Sequence, residues 1–244
     1  MRYLSPILYI SICTMGCSSE HVKFGNLEYR TAGSSRGLIG SWGDKLLDGP
    51  TSYGLQQDRP NWEDIRVAVL TTEKHCRTSI RKLALSGLNY KRLADLGFDM
   101  ERKLKEGFLV TTFSIINMDD LVTLINADKD LRAKLRMDER TRIIIGNAKI
   151  YDQEFESKVK GKFHAEMSLG EIWGGKDVQF KFEGGVTATK NISDGTIIGY
   201  QFARICWTAD GTVAKLVEDR PILFWRTDRG QCPANTTVKV GRFQ

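Results

Sequence analysis

The chain has 244 residues, 41% of them hydrophobic and 27% charged, which excludes global disorder and supplies enough apolar side chains for one large domain or two small ones. A formal net charge of +6 favours anionic partners, nucleic acid or an acidic lipid surface, and is equally what a soluble surface needs. The five cysteines, Cys13, Cys17, Cys76, Cys206 and Cys232, show no zinc-ligand spacing, so neither a metal site nor a cofactor is expected.

Residues 1–17, MRYLSPILYISICTMGC, carry one cation at Arg2, an apolar stretch through Ile7, Leu8, Ile10 and Ile12, and Gly16 directly before Cys17. This is the layout of a secretory signal. The sequence TMGC followed by Ser18 and Ser19 resembles a bacterial lipoprotein processing site, which implies cleavage before Cys17 and a lipid on its sulfur. The apolar run is about half of the ~20 residues that a spanning helix needs, so no permanent transmembrane anchor is expected. Two other readings stay open: an uncleaved leader acylated in the cytoplasm at Cys13 or Cys17, and an ordinary buried N-terminal segment. One acyl chain binds only reversibly, so a basic surface is the expected second attachment. Downstream of Cys17 three cysteines remain, enough for one disulfide.

Residues 18–60, with AGSSRG and GDKLLDGPTSYG, hold no sustained period and read as a loop-rich segment with short elements. Residues 61–244 read as a single domain. Ile65–Thr72, IRVAVLTT, is a buried strand by its β-branched content. Between Leu83 and Leu104 a strand pattern and a helical one, Leu93, Leu96, Met100 and Leu104, both fit. Phe108–Ile115 predicts a strand. Asn117 then caps a helix starting MDDLVTLI, with Asp119 and Asp120 at its positive end. Leu121, Leu124 and Ile125 form its apolar stripe, which Leu131 and Leu135 continue beyond a break near Ala127. From Arg140 onward the chain is almost all β, with TRIIIGNAKI, GTIIGYQFARICW, TVAKLV and PILFW. The expected class is α+β: a mostly antiparallel twisted sheet with long β-hairpins and one or two packed helices.

The longest periodic signal lies between residues 154 and 188. Odd positions carry Phe155, Ser157, Val159, Gly161, Phe163, Ala165, Met167 and Leu169, and even ones Glu154, Glu156, Lys158, Lys160, Lys162, His164, Glu166 and Ser168. After GEIWGGK the pattern resumes with Val178, Phe180, Phe182, Gly184, Val186 and Ala188 on one face. Ordinary strands have ~5 to 6 residues, whereas a strand crossing a bilayer within a closed barrel has ~9 to 11, apolar toward lipid. On that reading Phe155, Val159, Phe163, Val178, Phe180 and Phe182 face lipid, Lys158, Lys160 and Lys162 meet headgroups, and Trp173 sits at the interface. A soluble hairpin with one face on a core has the same alternation.

Catalytic motifs are missing: the sequence has no P-loop, GxSxG elbow or HExxH. His75 and Cys76 are neighbours and point to opposite faces of a strand, which disfavours a nucleophile and base pair. Cys232, in RGQCPAN near Arg229, reads as a turn cysteine before it reads as an activated thiol. No nucleic-acid module accompanies the basic residues. The chain is not expected to be an enzyme.

The segment ISDGTIIGYQFARICWTADGTVAKLV, residues 192–217, resembles the late strands of gasdermin pore-forming domains, where a polar turn precedes a strand of the type TxIAYxVxxL and then a second strand. The helix from Met118, the strand RIIIGNAKI and the hairpin from Glu154 to Ile192 follow in the same order as in that family, so the likeness covers residues 85–217. It implies a protein that permeabilises an anionic membrane as a homo-oligomer of inserted hairpins, with an acylated cysteine near the N-terminus, matched by Cys13 or Cys17. It also implies a C-terminal inhibitory element, here no longer than RPILFWRTDRGQCPANTTVKVGRFQ. The alternative, carried by TMGC and SSE, is a lipoprotein of a bacterial envelope serving as a non-enzymatic binding or structural module. Membrane association is expected on both readings, from the envelope if the leader is cleaved at Cys17 and from the cytoplasm otherwise.

Overall fold

A computed structural model describes residues 21–24, 27–31, 38–45, 53–56, 61–74, 94–95, 97–99, 102, 108–158, 163–181, 187–219 and 231–237. The fold is α+β. Ten strands form one sheet whose main path runs β1 (His21–Phe24), β2 (Leu27–Thr31), β11 (Thr196–Trp207), β7 (Thr141–Ile150), β6 (Phe108–Ile115), β5 (Arg66–Lys74) and β8 (Phe163–Ser168). Strand β12 (Val213–Glu218) pairs with β11, and β3 (Trp42–Lys45) joins both β7 and β4 (Tyr53–Gln56). Among the described residues every pairing is antiparallel, including that of β9 (Asp177–Lys181) with β10 (Thr187–Asn191), which make a separate two-stranded sheet.

β7 is buried along all ten of its residues. This explains why TRIIIGNAKI does not alternate: a strand covered on both faces gains from apolar side chains on each. Beside it, β5 and β6 pair antiparallel from Val67↔Ile115 to Lys74↔Phe108. The segment read as loop-rich contributes β1 to β4, each of four or five residues, too short to impose a period on the sequence. In the stretch that fits two patterns, Ala94, Asp95 and Arg102 are helical.

Helix α1 (Met118–Ala127) starts where Asn117 accepts a hydrogen bond from the Asp119 amide at 3.1 Å, with Asp119 and Asp120 in its first turn. It ends at Asp128, whose carboxylate accepts from the Leu131 amide at 2.9 Å and so caps α2 (Lys129–Leu135). One residue therefore supplies both the break and the restart. Leu121, Ile125, Leu131 and Leu135 are buried in the main core with Ile205, Trp207, Val213 and Leu216. Asn126 fixes α1 on the sheet by bonding both backbone groups of Val213, donating to its carbonyl at 2.9 Å and accepting from its amide at 2.8 Å.

Candidate functional site

The alternating stretch folds differently from its expected form. Residues 153–158 are a helix, α3 (Gln153–Lys158), and β8 covers Phe163–Ser168, so the single strand expected over 154–169 is corrected to helix plus strand. Local and tertiary bonds set the helix. The Asp152 carboxylate accepts from the Phe155 amide at 2.8 Å, and Glu156 reaches across to accept from the Leu109 amide of β6 at 3.0 Å. The GEIWGGK segment between the two alternating stretches, which the sequence reads as a turn, instead enters the helix α4 (Leu169–Trp173), opened by a reciprocal capping box between Ser168 and Glu171. β8 therefore pairs with β5 at the edge of the large sheet, and the β9–β10 hairpin stands apart.

This arrangement gathers part of the predicted apolar face inside the protein. Phe155 and Phe180 meet edge to face with centroids 5.1 Å apart, and Tyr151 lies 5.1 Å from Phe155 and 6.3 Å from Phe180. Phe155, Val178 and Phe180 are all buried in the main core. In this conformation their alternation serves an interior rather than a lipid face. Phe163 begins β8 and Lys158 ends α3, whereas Val159, Lys160, Lys162 and Phe182 lie outside the described residues, as do Cys17 and the His75–Cys76 pair. Trp173, expected at an interface, is half-buried and donates its indole N–H to the Ile39 carbonyl at 2.9 Å.

Two polar contacts hold the hairpin end against the large sheet. Lys149, the penultimate residue of β7, donates from Nζ to the Ile192 carbonyl at 2.7 Å and lies 5.6 Å from the Phe113 ring centroid. Burial pushes its pKa down to about 8, opposed by the Asp194 carboxylate. Beside it Lys190 and Asp152 form a salt bridge. The carboxylate raises the Lys190 pKa; burial opposes ionisation of Asp152, yet Lys190 and the Phe155 amide hold its carboxyl below the usual range. Gly195 closes the turn into β11 at φ +96°, and a Cβ there would stand 2.9 Å from the Tyr151 ring.

At the far end of β11 Cys206 is joined to Cys232 in a disulfide, with Cα atoms 5.5 Å apart. Cys232 is therefore not the free thiol that a nucleophile requires. Sequence spacing could not identify this pair, because Cys76 was an equal candidate. No helix among the described residues is long and apolar enough to cross a membrane. No protein-family model, curated protein or solved structure matches the chain.

Proposed function

We propose that the protein is a lipid-anchored module of a bacterial cell envelope, attached through Cys17 and acting as a non-enzymatic binding or structural element. The Cys206–Cys232 disulfide is the observation that supports this reading, because disulfides persist in oxidising compartments outside the cytoplasm, where a cleaved lipoprotein leader would deliver the chain. The tether is short. His21 opens β1 at the sheet edge, so the three residues between keep the Cys17 Cα within roughly 14 Å of that edge. Mass spectrometry of the expressed protein tests the reading. A mature chain starting at diacylated Cys17 is expected, with Cys17→Ser leaving the membrane fraction; an intact Met1 chain without lipid would defeat it.

A second reading is that the chain permeabilises anionic membranes as an inserted homo-oligomer. It is favoured by the strand-patterned sequence of α3, where a period suited to one structure is held in another. Insertion on this reading draws Phe155, Val178 and Phe180 out of the core, so an Asp at Phe180 would unfold the protein before it reported on lipid. Opening the Lys190–Asp152 contact is the cleaner test. Lys190→Ala should speed dye release from anionic vesicles. If vesicles stay intact with the full chain, with Lys190→Ala and with C-terminally trimmed forms, permeabilisation is excluded.

A further inference from the structure

The described C-terminal segment, residues 231–237, reaches the sheet at the last residues of β11. Cys206 there is fully buried, whereas Cys232 is half-exposed. Alternation along β11 puts Cys206 on the face opposite Ile205 and Trp207, which belong to the main core. Pairing of β11 with β7 stops at Arg204↔Arg142. Beyond that point Trp207 exchanges two backbone hydrogen bonds with Thr237, at 2.8 and 2.9 Å. Between the disulfide and this bridge the chain turns at Asn235, φ 65°, and Thr236 bonds the Pro233 carbonyl. Gln231, Pro233, Ala234, Asn235 and Thr237 are exposed, so these residues bury little apolar surface of their own, and the disulfide joins them covalently to the sheet.

We propose that residues 231–237 form a redox-released strap, buckled by Cys206–Cys232, that closes the outward edge of β11 at Trp207. A dithiol supplies the two electrons. Its thiolate attacks the half-exposed Cys232 sulfur, the S–S bond breaks, and Cys206 leaves as a thiolate that takes up a proton. The second thiol of the reductant then displaces Cys232, which is freed as a thiol while the reductant closes to its own disulfide. Released from its buckle, the strap leaves the Trp207 amide and carbonyl open to another strand, as any unpaired edge is. The oxidised form keeps that edge closed.

The full chain is treated with dithiothreitol under native conditions, labelled with N-ethylmaleimide and followed by hydrogen exchange with peptide-level mass spectrometry. Reduction should make Cys206 labelled and raise amide exchange at Trp207 about tenfold or more, while the paired amides of β5 and β6 keep their protection. Cys232→Ser should show the same pattern without reductant. If Cys206 stays unlabelled and Trp207 stays protected in both cases, the strap does not depend on its buckle and the proposal fails. Accelerated exchange throughout β5 and β6 also overturns it, because the disulfide would then staple the whole fold.

Discussion

Asp219→Ala should destabilise the protein by about 3 to 5 kcal/mol, the cost typical of removing one partner from a buried ion pair. Asp219 follows β12 directly, and its side chain is only 8% exposed. Three guanidinium groups converge on it: Arg30 of β2 at 3.0 Å, Arg142 of β7 at 3.1 Å and Arg204 of β11 at 3.4 Å. Its amide also donates to the Phe202 carbonyl at 2.8 Å. The carboxylate thus joins four neighbouring strands at one end of the sheet. Removing it leaves three cations in a poorly hydrated place, and their mutual repulsion adds to the lost attraction. Against a total stability of ~5 to 15 kcal/mol for a domain, that loss is large. Arg204→Met, which removes the most exposed of the three, should cost far less because two pairs survive. Urea unfolding midpoints measure both. An Asp219→Ala midpoint within error of the parent would show that the arginines are satisfied without this carboxylate.

The sequence hides this cluster for a physical reason. Arg30 and Arg142 lie 189 and 77 residues from Asp219, and each, read locally, resembles an ordinary surface charge on a strand end. Elements stabilised by their own neighbours were legible. FLVTTFSI and TRIIIGNAKI coincide with β6 and β7 to the residue, and Asn117, the acidic pair and the break near Ala127 all stand where helix capping requires them. Residues 154–158 were not legible, because the alternation that runs on to Leu169 reads as one strand, and Phe155 alone is apolar among these five, too little to show a helical period. Glu156 settles the conformation through a bond to Leu109 that lies 47 residues away. One signal was present and unused: Ser168 and Glu171 have the spacing of a capping box, which would have turned the expected loop at GEIWGGK into helix α4. For the candidate site, the sequence singled out the apolar positions that matter, and their use was set by tertiary packing: Phe155, Val178 and Phe180 are core residues here.

Lys149 carries the second large effect, and it depends on pH. The residue is 6% exposed in a strand covered on both faces, and desolvation lowers its pKa from 10.5 to about 8. In the unfolded chain the amine keeps its proton up to the ordinary value, so between those two values the unfolded state binds more protons than the folded one. Stability should therefore rise as pH increases from about 8 toward 10, and below 8 the cost of burying the ammonium is present in full. A shift of this size corresponds to roughly 3 kcal/mol. The window closes near pH 10, because burial raises the pKa of Tyr29 and Tyr151, and groups of that kind lose stability as the unfolded chain ionises. Lys149→Met should consequently be more stable than the parent at neutral pH by about 1 to 3 kcal/mol, after allowance for the lost bond to the Ile192 carbonyl. Its stability should also be flat between pH 8 and about 9.5, where the parent's climbs. Urea titrations of both proteins across that range give the two slopes directly. Parallel slopes would mean that the ammonium is solvated in the folded protein, and a Met variant weaker than the parent at every pH would mean that the bond to Ile192 outweighs the burial of the charge.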